Sequence, residues 1–159
     1  DIHNGYHDGK DHGMFASKKE TDVDWLTPHP SFYHYYFYNK IFGDTYYDSK
    51  STNDKIRLHT STFSSGEIGM VLINTSNIEE VVEIDLKNRI TGKKFYFYEI
   101  TSDDPNSRRI KINDFETSKL AGGPENYYRL PAYEQIKNNN FIKLKLKPFS
   151  ASYILISKL

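Results

Sequence analysis

Cysteine is absent from the 159 residues. Disulfides, thiolate metal sites and thiol nucleophiles are thereby excluded, and the redox compartment is left open. Net charge is absent too, because 21 Lys and Arg offset 21 Asp and Glu. A neutral chain lacks the basic footprint of a protein that binds nucleic acid or an anionic membrane, so neither is expected as a partner. Apolar runs are short, such as Met70 to Ile73 and Tyr153 to Ile156, far below the ~20 residues of a membrane span. The phosphate-binding patterns GxGxxG and GxxxxGK[ST] and the nucleophile pattern GxSxG are missing, and no cofactor is expected. The chain opens at Asp1 with neither an initiator Met nor a leader-like apolar segment, and reads as a piece cut from a longer protein.

Rings are plentiful. Thirteen Tyr, ten Phe and one Trp make an aromatic share of 15% within a hydrophobic fraction of 37%, a composition that favours strands. The length suits one domain able to bury roughly 70% of its unfolded surface. Residues 1 to 20 are crowded with Asp, Gly, His and Lys and read as loop. Residues 28 to 42, PHPSFYHYYFYNKIF, place Tyr33, Phe37 and Ile41 at four-residue steps beside Phe32 and Tyr36, the spacing of a helical face. Thr27 as N-cap, Pro28 in the first turn and a left-handed Gly43 would bound that helix. Tyr35, Tyr38 and Phe42 fall on another side of it, and a sandwich can cover only one; the leftover face is expected to be exposed or to support a homodimer.

From Thr45 the pattern changes to short alternating runs parted by Gly, Asn, Asp and Ser. Seven or eight strands are expected, at residues 55–63, 68–74, 82–86, 95–100, 109–113, 141–146 and 152–156. Residues 117 to 135, TSKLAGGPENYYRLPAYEQ, lack a clean period and read as an ordered excursion. The fold class is all-β: a two-sheet antiparallel β-sandwich preceded by a loop and one helix.

Candidate functional residues fall in two groups. His3, Asn4, His7, Asp8, Asp11 and His12 in the opening loop have side chains that could contact a substrate. The three histidines could also ligate a transition metal, but spacings of four and five in a glycine-rich loop do not fix one geometry, and no metal site is expected. Tyr96, Tyr98, Tyr127 and Tyr128 could stack on sugar rings. Alternation puts Phe95 and Phe97 on one side of a strand and Tyr96 and Tyr98 on the other, where they could equally meet a neighbouring domain. The carboxylates Glu83 and Asp85 are expected opposite the row Lys143, Lys145 and Lys147, which suits a solvated sheet face better than acid catalysis.

The order of the pieces resembles the C-terminal end of a clan-A glycoside hydrolase of the arabinofuranosidase and agarase kind. The matching segments are Asp11-His12-Gly13-Met14-Phe15, then Thr27-Pro28-His29-Pro30 opening an aromatic helix, Ile41-Phe42-Gly43-Asp44 ending it, and Val71-Leu72-Ile73-Asn74 as a sandwich strand. Gly122 to Tyr127 with Ala132-Tyr133 and the closing Ser150 to Ile154 fit the same pattern. The resemblance implies that residues 1–44 are the last loop and helix of a (β/α)8 barrel and residues 45–159 a C-terminal β-sandwich. It implies an accessory domain that packs on and stabilises the catalytic barrel of its own parent chain, in an extracellular or periplasmic enzyme, with polysaccharide as a further partner. The catalytic glutamates of that kind of enzyme precede Asp1, so the resemblance carries no catalytic residue over, and the isolated chain is expected to hydrolyse no glycoside. An autonomous carbohydrate-binding module using the exposed tyrosines, and a small histidine-based metalloprotein, are the alternative readings.

Overall fold

A computed structural model describes residues 13–18 and 23–159. One α-helix, α1 (Pro30–Ile41), precedes ten strands: β1 (Thr45–Tyr47), β2 (Ile56–Thr62), β3 (Ile68–Asn74), β4 (Glu80–Asp85), β5 (Lys94–Thr101), β6 (Lys111–Ile112), β7 (Phe115–Glu116), β8 (Tyr133–Ile136), β9 (Phe141–Leu146) and β10 (Ala151–Ile156). Helix therefore gives way to strand between Ile41 and Thr45, where the apolar period changes from near four to two. Eight strands form one antiparallel sheet in the order β1-β2-β3-β10-β5-β6-β7, with β8 sharing the β5 edge with β6, and β4 and β9 form a second sheet. This is the expected two-sheet arrangement. The short strands β1 and β7, and β8 at the end of the 117–135 excursion, lie outside the expected runs.

Alternation assigns each face of the large sheet its own core. Ile68, Met70 and Leu72 of β3 and Ile154 and Ile156 of β10 point toward the small sheet, where they meet Ile84, Ile142, Leu144 and Leu146. Val71, Ala151 and Tyr153 point the other way, onto Tyr33, Phe37 and Ile41 of the helix. These are the three helical residues whose four-residue spacing predicted a packed face, and all three are buried. In β9 the exposed and buried positions alternate strictly, because Phe141, Lys143 and Lys145 face solvent while Ile142, Leu144 and Leu146 face in.

Both helix boundaries differ from the sequence reading. His29, not Thr27, is the N-cap, and Pro30 is the first helical residue. A residue before proline is steered toward extended backbone, which His29 adopts at φ −83° and ψ 166°, while Pro28 is held in an antiparallel bridge with Phe15. At the other end Phe42 is extended and Gly43 is not among the residues at positive φ. Glycine is required there for proximity: a Cβ on Gly43 would overlap the backbone carbonyl of Thr62 at the end of β2. Gly69 in β3 serves the same end of the helix, since a Cβ on it would overlap the carbonyl oxygen of Ile41.

Asn74 ties the two sheets. Its Nδ2 donates to the carbonyls of Ile78 (2.9 Å) and Lys147 (3.0 Å), and its Oδ1 accepts from the backbone N (2.9 Å) and Oγ (2.8 Å) of Ser76. A buried amide with its bonds filled is the state in which such a group stabilises. The charge register departs partly from expectation. Glu83 does lie opposite Lys143, but Asp85 faces Phe141 and Lys145 faces Val81, while Lys147, just past β9, turns to Glu99 (3.1 Å) and Asp114 (2.6 Å).

Candidate functional site

The helix buries one side and leaves another bare. Tyr35 is 57% exposed and Tyr38 44%, and both lie on the side away from Phe37. Tyr38 stacks on Phe42 with centroids 4.5 Å apart, and Phe42 lies 6.3 Å from Tyr46 in β1, itself 57% exposed. The rings from Tyr38 through Phe42 to Tyr46 thus make a continuous aromatic band that runs off the helix onto the sheet edge. Rings bring large contact area at low entropic cost, which suits an interface. Tyr46 escaped sequence reasoning because it sits in a three-residue strand too short to show a period.

Residues 117–135 fold over the first half of the helix, as an ordered excursion should. Gly122 donates to the Arg108 carbonyl (2.7 Å) and its own carbonyl accepts from Ile110 (2.9 Å). The Tyr33 hydroxyl donates to the Gly123 carbonyl (3.1 Å) and the Tyr98 hydroxyl to that of Leu130 (3.2 Å). Burial pushes the Tyr33 phenol above its ordinary pKa despite the hydrogen bond to Gly123, which acts the other way. A 3-10 turn at Tyr127–Arg129 presents Tyr127 edge-on to Phe32, Tyr33 and Tyr36 at 5.5, 5.3 and 4.9 Å.

The four candidate stacking tyrosines therefore separate. Tyr98 is buried against Phe37, 4.6 Å between centroids, so its ring has no face for a sugar. The alternation that put it opposite Phe95 and Phe97 holds; both sides of β5 are covered, because the helix occupies the second one. Tyr127 is engaged by the helix rings, and Tyr96 is half-buried. Tyr128 is 53% exposed, with the Arg129 guanidinium 5.4 Å over its ring. His3, Asn4, His7, Asp8, Asp11 and His12 lie outside the described residues. Among the described residues no group of three His, Asp or Glu is arranged to hold a metal ion, and no helix is long and apolar enough to cross a membrane.

Part of the opening segment that reads as loop is paired backbone. Ala16 exchanges hydrogen bonds with Leu26 and Thr27 at 3.0 and 2.9 Å, and His29 donates to Met14 at 2.9 Å. Leu26 takes a left-handed φ of 66° beside an exposed Trp25 whose ring lies 4.4 Å from the Lys18 ammonium. Trp25 was missed as a candidate; being the one tryptophan in the chain was its only signal.

No protein-family model and no curated protein matches the chain. Solved structures do. An arabinose-bound family 51 α-L-arabinofuranosidase aligns over 92% of the chain at 13% identity with a TM-score of 0.64, and the alignment covers 21% of that protein. A family 30, subfamily 8 xylanase from Clostridium acetobutylicum aligns over 91% at 11% identity with a TM-score of 0.60, covering 30% of its length. CelM2, a bifunctional glucanase-xylanase from a metagenome library, aligns over 85% at 16% identity with a TM-score of 0.58, covering 24%. The chain has a glycoside-hydrolase-related fold that corresponds to about a fifth to a third of the length of these enzymes.

Proposed function

We propose that the chain is the C-terminal accessory β-sandwich, with the last barrel helix attached, of a polysaccharide-degrading glycoside hydrolase, and that it packs on and stabilises the catalytic barrel. The observation that carries this reading is the pair of aromatic faces on α1. Tyr33, Phe37 and Ile41 are buried on the sandwich, while Tyr35 and Tyr38 stand exposed with Phe42 and Tyr46 beside them. On this reading the helix is shared: one face belongs to the sandwich and the other to the barrel, residues 1–44 being barrel and residues 45–159 sandwich. Partial coverage of the similar enzymes supports it. Export outside the cytoplasm, where polysaccharide is met, belongs to the same reading.

The test is a Tyr35→Lys, Tyr38→Lys double variant of the full-length parent protein. Placing two ammonium groups in an apolar interface should lower the barrel's melting temperature and shorten its active half-life, with the Michaelis constant unchanged. A variant as stable and as protease-resistant as the parent refutes the docking role. Retention of the sandwich on a polysaccharide affinity gel, lost on Tyr128→Ala, would instead support the binding-module reading, and a dimer dispersed by the double variant would assign the face to self-association.

A further inference from the structure

Trp25 lines a pocket that belongs to neither sheet. The cavity, of about 240 Å³, opens between two stretches of chain: residues 24–28, just before α1, and the excursion from Thr117 to Tyr127. Gly122 and Gly123 bring the two together. A Cβ on Gly122 would lie 2.6 Å from the Pro28 carbonyl oxygen, and one on Gly123 would lie 3.1 Å from the Tyr33 ring. Lys119 then bridges Asp24 at 3.5 Å and Glu125 at 3.2 Å, one carboxylate from each stretch. All three side chains are exposed and line the pocket.

The chemistry of the lining identifies what the pocket can take. Trp25 is 55% exposed. The Lys18 ammonium lies over one face of its ring and is not a lining residue, which leaves the other face for a ligand. The turn that presents the ring is costly, because Leu26 is held at φ 66°, a conformation that bulky residues rarely adopt and that proteins retain chiefly at working sites. Aromatic walls with a few polar groups at the rim, placed between two segments, are the makeup of a small-molecule site. A sugar ring matches it: its apolar C–H face suits the indole, and its hydroxyls suit Asp24 and Glu125 as acceptors and Lys119 as donor. A protein surface fits less well, since it would have to desolvate three charged groups, whereas hydroxyls replace the water bonds one for one.

We propose that this pocket is a saccharide subsite shared by the two stretches, holding one uncharged sugar ring of a polysaccharide with Trp25 stacked on its apolar face. This rests on the reading of α1 as the last helix of a (β/α)8 barrel. In that fold each helix follows a loop on the face where the chemistry occurs. Residues 24–28 therefore lie on the catalytic face, and the excursion folded over the start of α1 brings part of the sandwich there. The sandwich then does more than stabilise the barrel. Through Lys119, Glu125 and Tyr127 it grips substrate away from the scissile bond, and binding energy from such remote contacts contributes to cleavage. Two carboxylates against one ammonium leave the rim negative, which selects neutral sugars over uronic acids.

The experiment uses the full-length parent protein with its barrel nucleophile replaced by alanine, so that oligosaccharides bind without being cut. Hydroxyl-radical footprinting read by mass spectrometry follows Trp25 alone and with cellohexaose, xylohexaose, α-1,5-arabinohexaose or hexagalacturonate. Trp25 should be oxidised in the free protein, protected by at least one of the neutral sugars, and left unprotected by hexagalacturonate. Calorimetric titration with the protecting sugar should show affinity weakened about tenfold or more by Trp25→Ala and largely restored by Trp25→Tyr, with melting temperatures unchanged. Glu125→Ala, on the sandwich side, should weaken it as well. Protection by none of the neutral sugars, equal protection by hexagalacturonate, or an unchanged affinity in Trp25→Ala or Glu125→Ala overturns the proposal. So does a Trp25 that is unreactive in the free protein, or a melting temperature lowered by Trp25→Ala, since either marks the ring as a barrel contact and leaves the docking role standing. The Tyr35→Lys, Tyr38→Lys variant moves stability and not this affinity, so the two readings fail separately.

Discussion

Truncating Phe37 tests whether the helix is an integral layer of the sandwich or an appendage. The ring has no exposure and sits among Tyr98, Tyr36 and Tyr153 at 4.6, 5.1 and 5.8 Å. It therefore joins α1 to β5 and β10, the two central strands. Phe37→Ala removes this packing and leaves a cavity that rings anchored on β-strands cannot collapse to fill, a loss of about 3–5 kcal/mol. Set against the roughly 5–15 kcal/mol that holds a domain of this size, that is about a fifth of the total or more. At about 2–4 °C per kcal/mol, the melting temperature should fall by roughly 6–20 °C. Tyr35, two residues earlier on the bare side, provides the control: Tyr35→Ala in the isolated chain should change stability by no more than about 0.5 kcal/mol. Urea melts followed both by helical circular dichroism and by tyrosine fluorescence measure the two variants. If Phe37→Ala shifts the midpoint no more than Tyr35→Ala, or if the helix signal melts before the sheet signal in the unsubstituted chain, the shared-layer argument is wrong.

Gly69→Ala should cost roughly 1–3 kcal/mol by overpacking, since a methyl there meets the Ile41 carbonyl, and a thermal melt unchanged from that of the unsubstituted chain would refute the close approach. Lys147→Met should cost roughly 1–3 kcal/mol at neutral pH by stranding the buried Glu99; adding Glu99→Gln should recover most of it, and a double variant no better than the single one contradicts the pairing. Burial holds the His34 imidazole below its ordinary pKa, while its Nδ1 lies 2.8 Å from the Tyr153 hydroxyl. The neutral ring is the one that fits, so its contribution is complete above the unfolded value of about 6.5 and is lost as pH falls from there through the lowered folded value. A His34→Gln variant should show a shallower fall in melting temperature between pH 7 and 5, and an unchanged slope would refute the linkage.

How much of this was legible follows from which signals are periodic. Tyr33, Phe37 and Ile41 announced a buried face because four-residue recurrence has few other causes, and the Val82 and Ile142 strands announced theirs by strict alternation with charge. The start of the helix was misplaced because Pro28 and Pro30 both fit a first turn; only the Phe15 bridge, a contact distant in sequence, holds Pro28 outside it. Gly43 was given the wrong reason for the same cause: its neighbour is Thr62, nineteen positions on, and nothing local reports it. Tyr98 obeyed alternation yet lost its candidacy as a sugar platform, because a strand in the middle of a sheet with helix on one side and sheet on the other has no bare face. Tyr46 and Trp25, in short or irregular backbone, gave no period to read.

The electrostatics say where glycoside chemistry can reside on the proposed reading. A general acid for glycosidic cleavage needs a carboxyl whose pKa is raised by a dry or negative surrounding, set across the bond from an ionised partner. Among the described carboxyls whose titration is displaced, the movement is downward: hydrogen bonds from Ser64 lower Asp44, from Ser65 Glu67, from Lys87 Asp85, from Lys147 Asp114 and from Lys94 Glu134. Lys147 shows the pairing from the other side. Burial opposes its charge, yet its bonds to Asp114 and Glu99 outweigh that, and its pKa lies above the ordinary lysine value. Such carboxylates stay ionised at neutral pH and act as partners for cations, not as proton donors. These carboxylates serve ion pairing and hydrogen bonding on the surface of the chain, which agrees with the proposed accessory role, in which the acid and nucleophile belong to the barrel.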